Sequence, residues 1–124
     1  MRVGITIWGD IISPVFDVAR SLMVADIKDG VVVGRSQQPI FHGSPGRQVE
    51  ALRRNQIDVL ICGAVSEVPA HMIEAAGIRL IPFIKGDVND ALYAFLNNQL
   101  PAADFMMPGC GRRRRRRQRG RRYK

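Results

Sequence analysis

The heptapeptide IDVLICG, residues 57–63, is an apolar run that ends at a glycine. Its length and composition are typical of one buried strand in a parallel sheet. Helical patterns flank it: the helix predicted over 44–55 begins with Ser44-Pro45, an N-cap followed by an N1 proline, and a second helix is predicted over 66–76. A short buried strand between two helices predicts an α/β fold.

Strand patterns fill the sequence before residue 44. Residues 2–8 are rich in β-branched side chains and end at a glycine. Residues 21–27 and 31–35 flank Asp29-Gly30, a dipeptide that favours a hairpin turn. Three strands are therefore predicted before the first helix.

The sequence after residue 77 adds one strand and one helix. Residues 78–83 predict a fifth strand, and Asp87 opens a third helix. Because crossovers between parallel strands are right-handed, the first, fourth and fifth strands should be parallel, with the hairpin strand antiparallel on one side. The order βββαβαβα then predicts a ribonuclease-H-like mixed five-stranded sheet with helices on its faces.

Charge divides the chain at residue 112. The sequence has 19 basic and 11 acidic residues, a formal net charge of +8. Nine arginines and one lysine lie in 112–124 without an acid, so 1–111 holds nine bases and all eleven acids and carries −2. We predict an α/β domain over 1–100, a Pro- and Met-containing linker over 101–111 and a disordered basic tail over 112–124.

Ten positive charges in the tail predict attraction to polyanions: RNA, DNA or an acidic protein. The alternative interpretation is a solvated extension that only keeps the protein in solution. The predicted polyanion-binding residues are Arg112, Arg113, Arg114, Arg115, Arg116, Arg117, Arg119, Arg121 and Arg122.

The sequence favours a cytoplasmic protein without a membrane partner. No apolar stretch approaches the roughly 20 residues of a membrane span, and the first residues lack the pattern of a secretory signal. The two cysteines, Cys62 and Cys110, are far apart in sequence and differ in setting, which argues against a disulfide framework.

Three segments resemble the dinitrogenase iron-molybdenum cofactor biosynthesis family. They are Val3 to Phe16 with its ISPVFD ending (residues 12–17), DVLICGA (residues 58–64), and AGI followed by GDVNDAL (residues 76–78 and 86–92). Members known to hold nitrogenase cofactor commonly carry histidine and glycine around the phenylalanine of the first motif, where this chain has Val15 and Asp17.

The resemblance implies a carrier that binds and delivers an iron-molybdenum-type or other metal–sulfur cofactor or precursor. The implied cargo is a cluster that contains iron, molybdenum or copper, and the implied partner is a donor or acceptor protein of cofactor biosynthesis. Nucleic-acid association through the tail is the competing function.

The predicted sheet brings residues 8–10 near residues 62–64, because the carboxyl ends of neighbouring parallel strands meet at one edge. The helix after Ser66 should point its free N–H groups at the same crevice, which suits an anionic cluster. Cys62 is then the best soft ligand for a metal and, with Gly63, the centre of the predicted site. The alternative is that Cys62 ends a buried strand as a small apolar side chain.

Other candidates have ordinary alternatives. Ser13 and Asp10 could donate or accept hydrogen bonds at a bound cluster, or they could only shape a loop. His42 and His71 lack a second ligand at metal spacing, so solvated imidazoles are expected. Cys110, beside the arginine run, could accept a metal or a redox modification, or be an inert linker residue.

Catalytic motifs are missing. Ribonuclease-H-like nucleases hold two metal ions with acids that begin in the middle of the first strand, and residues 2–8 contain no acid. The sequence also lacks a P-loop, a Cys-x-x-Cys pair and a nucleophile elbow. We therefore expect a binding protein and not an enzyme.

Overall fold

The computed structural model describes residues 1–41, 43–100 and 105–107. Strands and helices follow the predicted order, with one strand more than predicted. The strands are β1 Arg2–Trp8, β2 Ile11–Ile12, β3 Ser21–Lys28, β4 Val31–Pro39, β5 Val59–Ile61 and β6 Arg79–Ile81. The helices are α1 Pro45–Arg54, α2 Glu67–Ala75 and α3 Val88–Leu96, and a 3₁₀ turn covers Phe16–Val18.

The sheet has the strand order β4-β3-β1-β5-β6, and β2 pairs with β1 alone. Strands β1, β5 and β6 are parallel, whereas β3 is antiparallel to both β1 and β4. The prediction of five strands was wrong by one, because the chain reverses after Trp8 and pairs two residues, Ile11 and Ile12, antiparallel to β1. The sheet is thus mixed and six-stranded.

Helices cover both faces of the sheet. In β5, Val59 and Ile61 point to the core that packs under α3, and Leu60 points to the opposite core, which packs under α1 and α2. The period of two along a strand produces this division. Burial on both faces explains why β5 is an uninterrupted apolar run.

Helix starts agree with the predicted caps. Ser44 and Ser66 occupy the N-cap positions of α1 and α2, although neither makes a capping hydrogen bond to its own helix. Asp87 is a true side-chain cap of α3, because its Oδ1 accepts a hydrogen bond from the Asp90 N–H at 3.0 Å. No helix in the described ranges is long and apolar enough to cross a membrane.

The C-terminal part of the description is short. Residues 105–107 lie beside the segment that follows β6, where Met106 forms an isolated antiparallel bridge with Ile84. The rest of the predicted linker and the whole arginine tail over 112–124 lie outside the described residues.

Candidate functional site

The segment Ile11–Phe16 runs across the carboxyl edge of the sheet. It starts at a tight turn where Gly9 has φ +65°, a conformation that glycine adopts readily. After the turn, the Ser13 N–H donates to the Thr6 carbonyl at 2.9 Å. The segment therefore folds back against the strand that precedes it.

One side of this segment is bound to the start of α3. The Ile12 N–H donates to the Gly86 carbonyl at 2.9 Å, and the Val88 N–H donates to the Asp10 carbonyl at 3.0 Å. The predicted helix start at Asp87 thus has a second role, because the turn before it anchors the segment.

The other side is bound to the end of β5. The Ala64 N–H donates to the Pro14 carbonyl at 2.8 Å, and the Phe16 N–H donates to the Ala64 carbonyl at 2.7 Å. A Cβ atom on Gly63 would lie 2.4 Å from both the Ser13 and Pro14 carbonyl oxygens, so only glycine permits this approach. The crevice predicted beside residues 62–64 is filled by the protein's own backbone.

Cys62 lies below this seal with no exposed surface. It belongs to the core shared with α1 and α2, where its neighbours are apolar. Burial raises the pKa of the Cys62 thiol, and the nearby Asp17 carboxylate raises it further. The Cys62 side chain is therefore a protonated thiol within the core, and its use as a metal ligand stays a prediction.

The start of α2 already holds an anion, the carboxylate of Asp17. Its Oδ1 accepts a hydrogen bond from the Ser66 N–H at 3.1 Å, and its Oδ2 accepts one from the Ser66 hydroxyl. The Ser66 N–H at the N-cap of this helix is therefore bonded to the protein's own carboxylate, and the expectation that the helix beginning after Ser66 points free N–H groups at a cluster stays a prediction. Asp17 is one of the two positions at which the first motif departs from the family pattern, and its side chain binds at the start of α2 instead.

An open groove lies on the other side of the same segment, at the end of β1 and the start of β3. Its volume is about 760 Å³. Its apolar wall includes Val15 and Val18, and its polar and aromatic lining includes Trp8, Asp10, Ser13, Arg20 and Gln37.

The groove combines an aromatic side chain with opposite charges. The Trp8 indole is 70% exposed, unusual for a tryptophan. Arg20 and Asp10 are both exposed, and no ion pair within the described part of the chain engages Arg20. The guanidinium is therefore available to an anion that enters the groove.

The structure separates the four predicted site residues into two pairs. Asp10 and Ser13 both line the groove, whereas Cys62 and Gly63 lie behind the sealed crevice. The Ser13 hydroxyl is partly buried and donates to the Val15 carbonyl at 3.3 Å, so its proton is used within the loop.

Sequence reasoning did not find Arg20 and Gln37, which line the groove, or Gln48, which holds the turn at Phe16 and Asp17. Arg20 directly precedes β3 and Gln37 lies in β4, and both fall just outside the predicted strands 21–27 and 31–35, where a solvated polar side chain is ordinary. Gln48 is buried in α1, and its Nε2 donates to the carbonyls of Phe16 and Asp17, each at 3.2 Å. A buried amide in an amphipathic helix was the only available signal.

Metal ligands are sparse. The described residues contain no group of three His, Cys, Asp or Glu side chains that could hold a metal ion. His71 is exposed on α2, as expected. His42, Cys110 and the tail arginines, all candidates in the sequence, lie outside the described residues.

The chain is a small α/β domain with helices on both faces of a mixed sheet and an open groove at the carboxyl edge. The model of the family described as dinitrogenase iron-molybdenum cofactor matches residues 1–98. The chain belongs to this family, and membership points to a metal-cluster-related function. No curated protein matches the chain.

Solved structures share the fold. The crystal structure of the protein PH0822 is similar with a TM-score of 0.77 at 18% identity, over 83% of this chain and 95% of that one. The apo form of the orange protein from Desulfovibrio gigas has a TM-score of 0.71 at 24% identity, over 86% and 95%. A candidate NifB protein from Thermotoga has a TM-score of 0.62 at 25% identity, over 79% and 89%.

Proposed function

We propose that this protein carries a preassembled metal–sulfur cofactor or precursor, held as an intact anion in the groove, and delivers it to an acceptor protein. One observation carries the proposal: a chain of this family has an open groove at its sheet edge that Arg20 and Gln37 both line, and no ion pair within the described residues engages the Arg20 guanidinium.

The cargo is proposed to arrive assembled because the protein offers few ligands to a bare metal ion. The only cysteine in the described ranges, Cys62, is buried, and no three-ligand group is present there. A cluster that brings its own sulfides needs only hydrogen-bond donors, a counter-charge and an apolar wall. Arg20 supplies the counter-charge, Gln37 supplies a hydrogen-bond donor and Trp8 supplies an apolar wall.

The dimensions of the groove suit such a cargo. A volume of about 760 Å³ lies within the roughly 300–1,000 Å³ of ordinary small-molecule sites. The loop that forms one wall is fixed by backbone hydrogen bonds on both sides and by the Gln48 amide. A preformed site loses little free energy to ordering when the cargo enters.

We also propose that the protein is a carrier and not an enzyme, with a donor and an acceptor of cofactor biosynthesis as its partners. A reducing cytoplasm is the proposed compartment, in keeping with a free thiol at Cys62. We further propose that the sheet is of the ribonuclease-H-like kind, and the position of the antiparallel strand β3 between β4 and β1 supports this proposal.

The test uses two substitutions that should act in opposite directions. Tetrathiomolybdate is the probe, and its affinity for the whole chain is measured anaerobically. A salt concentration of ~0.3 M screens the attraction between the probe and the charges of the tail. Arg20→Gln should weaken binding about fivefold, the effect of losing one exposed charge pair. Asp10→Asn should strengthen it, because a negative charge leaves the groove.

The control is Arg47→Gln. Arg47 is exposed on α1, where its guanidinium lies 5.9 Å from the Phe41 ring centre, and it does not line the groove. Arg47→Gln changes the net charge by the same amount as Arg20→Gln but leaves the groove intact. This variant should therefore bind tetrathiomolybdate as tightly as the wild type. Equal weakening by both substitutions would show only non-specific attraction and would contradict the proposal.

The composition of the purified protein distinguishes a carrier from the competing function, which is nucleic-acid association through the tail. Protein purified anaerobically should contain iron, copper or molybdenum if it is a carrier. Copurified RNA with no metal would favour the competing function.

A further inference from the structure

The described lining of the groove offers few side-chain hydrogen-bond donors to a ligand. The side chains in it that can donate are Trp8, Arg20, Ser21 and Gln37. The Ser13 hydroxyl also lines the groove, but it donates its proton to the Val15 carbonyl. The Asp10 carboxylate only accepts hydrogen bonds. Much of the remaining surface is apolar and comes from Ile7, Pro14, Val15, Val18 and Ala19.

Such a lining treats oxygen and sulfur ligands differently. The oxygens of an anion such as molybdate or phosphate are strong acceptors, and the free energy rises when they leave water without replacement donors. Sulfur is a weak acceptor and loses less when water is removed. The groove is therefore a poor environment for an oxoanion and a better one for a sulfide-containing anion of equal charge.

The groove also lacks the usual parts of an oxoanion site. Proteins often bind phosphate at the N-terminus of a helix, where free N–H groups and the helix dipole meet the negative charge. The described lining includes no residue of α1, α2 or α3. Arg20 supplies the positive charge of this lining, and Asp10 sets a negative charge against it. Charge alone therefore gives the groove little preference for strongly hydrated anions.

Trp8 supplies a feature that favours sulfur. Its indole lines the groove and is 70% exposed, so a ligand can reach it. Sulfur atoms contact aromatic rings favourably, often at the ring edge, where the ring carries positive potential. The Trp8 backbone is fixed, because it pairs with Ile11 of β2. A ring on a fixed strand end loses little freedom when it contacts a ligand.

We infer that Trp8 is a specificity-determining residue, through which the groove selects sulfide-containing anions and rejects oxoanions of the same charge and shape. The inference rests on the proposed function for the location of the cargo site. It goes beyond that function because it states which anions do not enter and which side chain decides. Phosphate and sulfate are then poor competitors for the cargo.

The experiment compares tetrathiomolybdate with molybdate, two tetrahedral dianions that differ in sulfur and oxygen. Calorimetric titrations of the whole chain are done anaerobically, at ~0.3 M salt to screen attraction to the tail. Tetrathiomolybdate should bind at least about tenfold tighter than molybdate. The ratio of the two affinities measures selectivity, because both probes carry the same charge.

Variants of Trp8 assign the selectivity to the indole. Trp8→Gln exchanges the ring for an amide that donates and accepts hydrogen bonds. It should weaken tetrathiomolybdate binding about fivefold and leave molybdate binding no weaker, so the ratio falls. Trp8→Phe keeps an aromatic ring and should keep most of the ratio.

Two further substitutions are controls. Tyr93→Gln removes an aromatic ring on α3 that is 51% exposed and does not line the groove, so the ratio should stay at the wild-type value. Arg20→Gln should weaken both probes by a similar factor, because the guanidinium attracts either dianion. The affinity ratio therefore separates the contribution of Trp8 from that of charge.

Equal affinities of the wild type for the two probes would overturn the inference. A ratio unchanged in Trp8→Gln, or lowered equally in Tyr93→Gln, would overturn the role of Trp8. If molybdate bound as tightly as tetrathiomolybdate while Arg20→Gln but not Arg47→Gln weakened tetrathiomolybdate binding, the inference would fail and the proposed function would stand. Absence of tetrathiomolybdate binding would contradict both.

Discussion

Strands β1 and β5 are parallel neighbours, and their carboxyl ends lie at the same edge of the sheet, yet one end is open and the other is closed. The end of β5 leads to Cys62 and Gly63, which the segment Ile11–Phe16 covers through backbone hydrogen bonds. The end of β1 leads to Trp8 and the groove. The general preference for ligands at the carboxyl ends of parallel strands therefore selects the edge but not the position along it.

The two ends also differ in chemistry. The closed end contains a protonated thiol in an apolar core, and the Asp17 carboxylate occupies the neighbouring helix start. The open end presents a guanidinium, an amide and an indole to solvent. Of the two ends, the open one offers an anionic cargo the Arg20 guanidinium as a counter-charge, although the Asp10 carboxylate also lines the groove. We therefore place the cargo in the groove.

The largest expected effect is on the closed end. Gly63→Ala would place a methyl group 2.4 Å from two carbonyl oxygens of the covering segment, so the free energy of unfolding should fall by about 3 kcal/mol. Denaturant unfolding measures the change. Gly46→Ala is the matched control, because a Cβ there meets no atom within 4 Å and alanine favours the helix α1. Equal stability of both variants would show that the closed end is loosely packed.

A smaller effect concerns the Cys62 thiol and pH. Its pKa is raised in the folded protein, so the unfolded chain loses the proton first, near the ordinary pKa of about 8.5. Stability from the buried thiol is complete below that pH and is lost as pH rises further. The loss should approach ~1.4 kcal/mol per pH unit.

The measurement compares the wild type with Cys62→Ala between about pH 8 and pH 10. The free energy of unfolding of the wild type should fall more steeply with pH than that of the variant. Parallel pH dependences would show that Cys62 ionises as freely in the folded protein as in the unfolded chain, and the closed end would then be open to ligands.

The smallest expected change comes from Asp17. Asp17→Ala removes the two hydrogen bonds at Ser66, and loss of such a helix-start contact costs about 1 kcal/mol. Thermal unfolding against Glu74→Ala, an exposed acid elsewhere on α2, isolates the effect of the contact from that of net charge. If both variants unfolded at the same temperature, the carboxylate would not stabilise the helix start.

Sequence patterns predicted the elements well where burial follows a simple period. The first strand, the Pro45 helix start and the Asp87 cap were all confirmed. The strand Ile11–Ile12 was missed because two residues carry no period. The end of β4 was placed four residues early because Ser36 to Pro39 are polar or proline, although they pair with β3 through the backbone.

The site was harder to predict for a physical reason. Closure of the crevice depends on backbone groups of Pro14 and Ala64, which every sequence possesses, and only Gly63 left a trace in residue type. Arg20 and Gln37 line the same groove as Trp8 only because β1, β3 and β4 are neighbours in the sheet. Asp10 and Ser13 were predicted near the site because they follow β1 directly along the chain.

The central claim, that the cargo enters the open end and not the closed one, is tested most directly by nuclear magnetic resonance. Amide and indole signals of the ¹⁵N-labelled full chain are followed during anaerobic titration with tetrathiomolybdate. We predict the largest shifts at the Trp8 indole N–H, Arg20 and Gln37, with Gly63, Ala64 and Ser66 nearly unchanged. Largest shifts at Gly63, Ala64 and Ser66 would contradict it and return the site to Cys62.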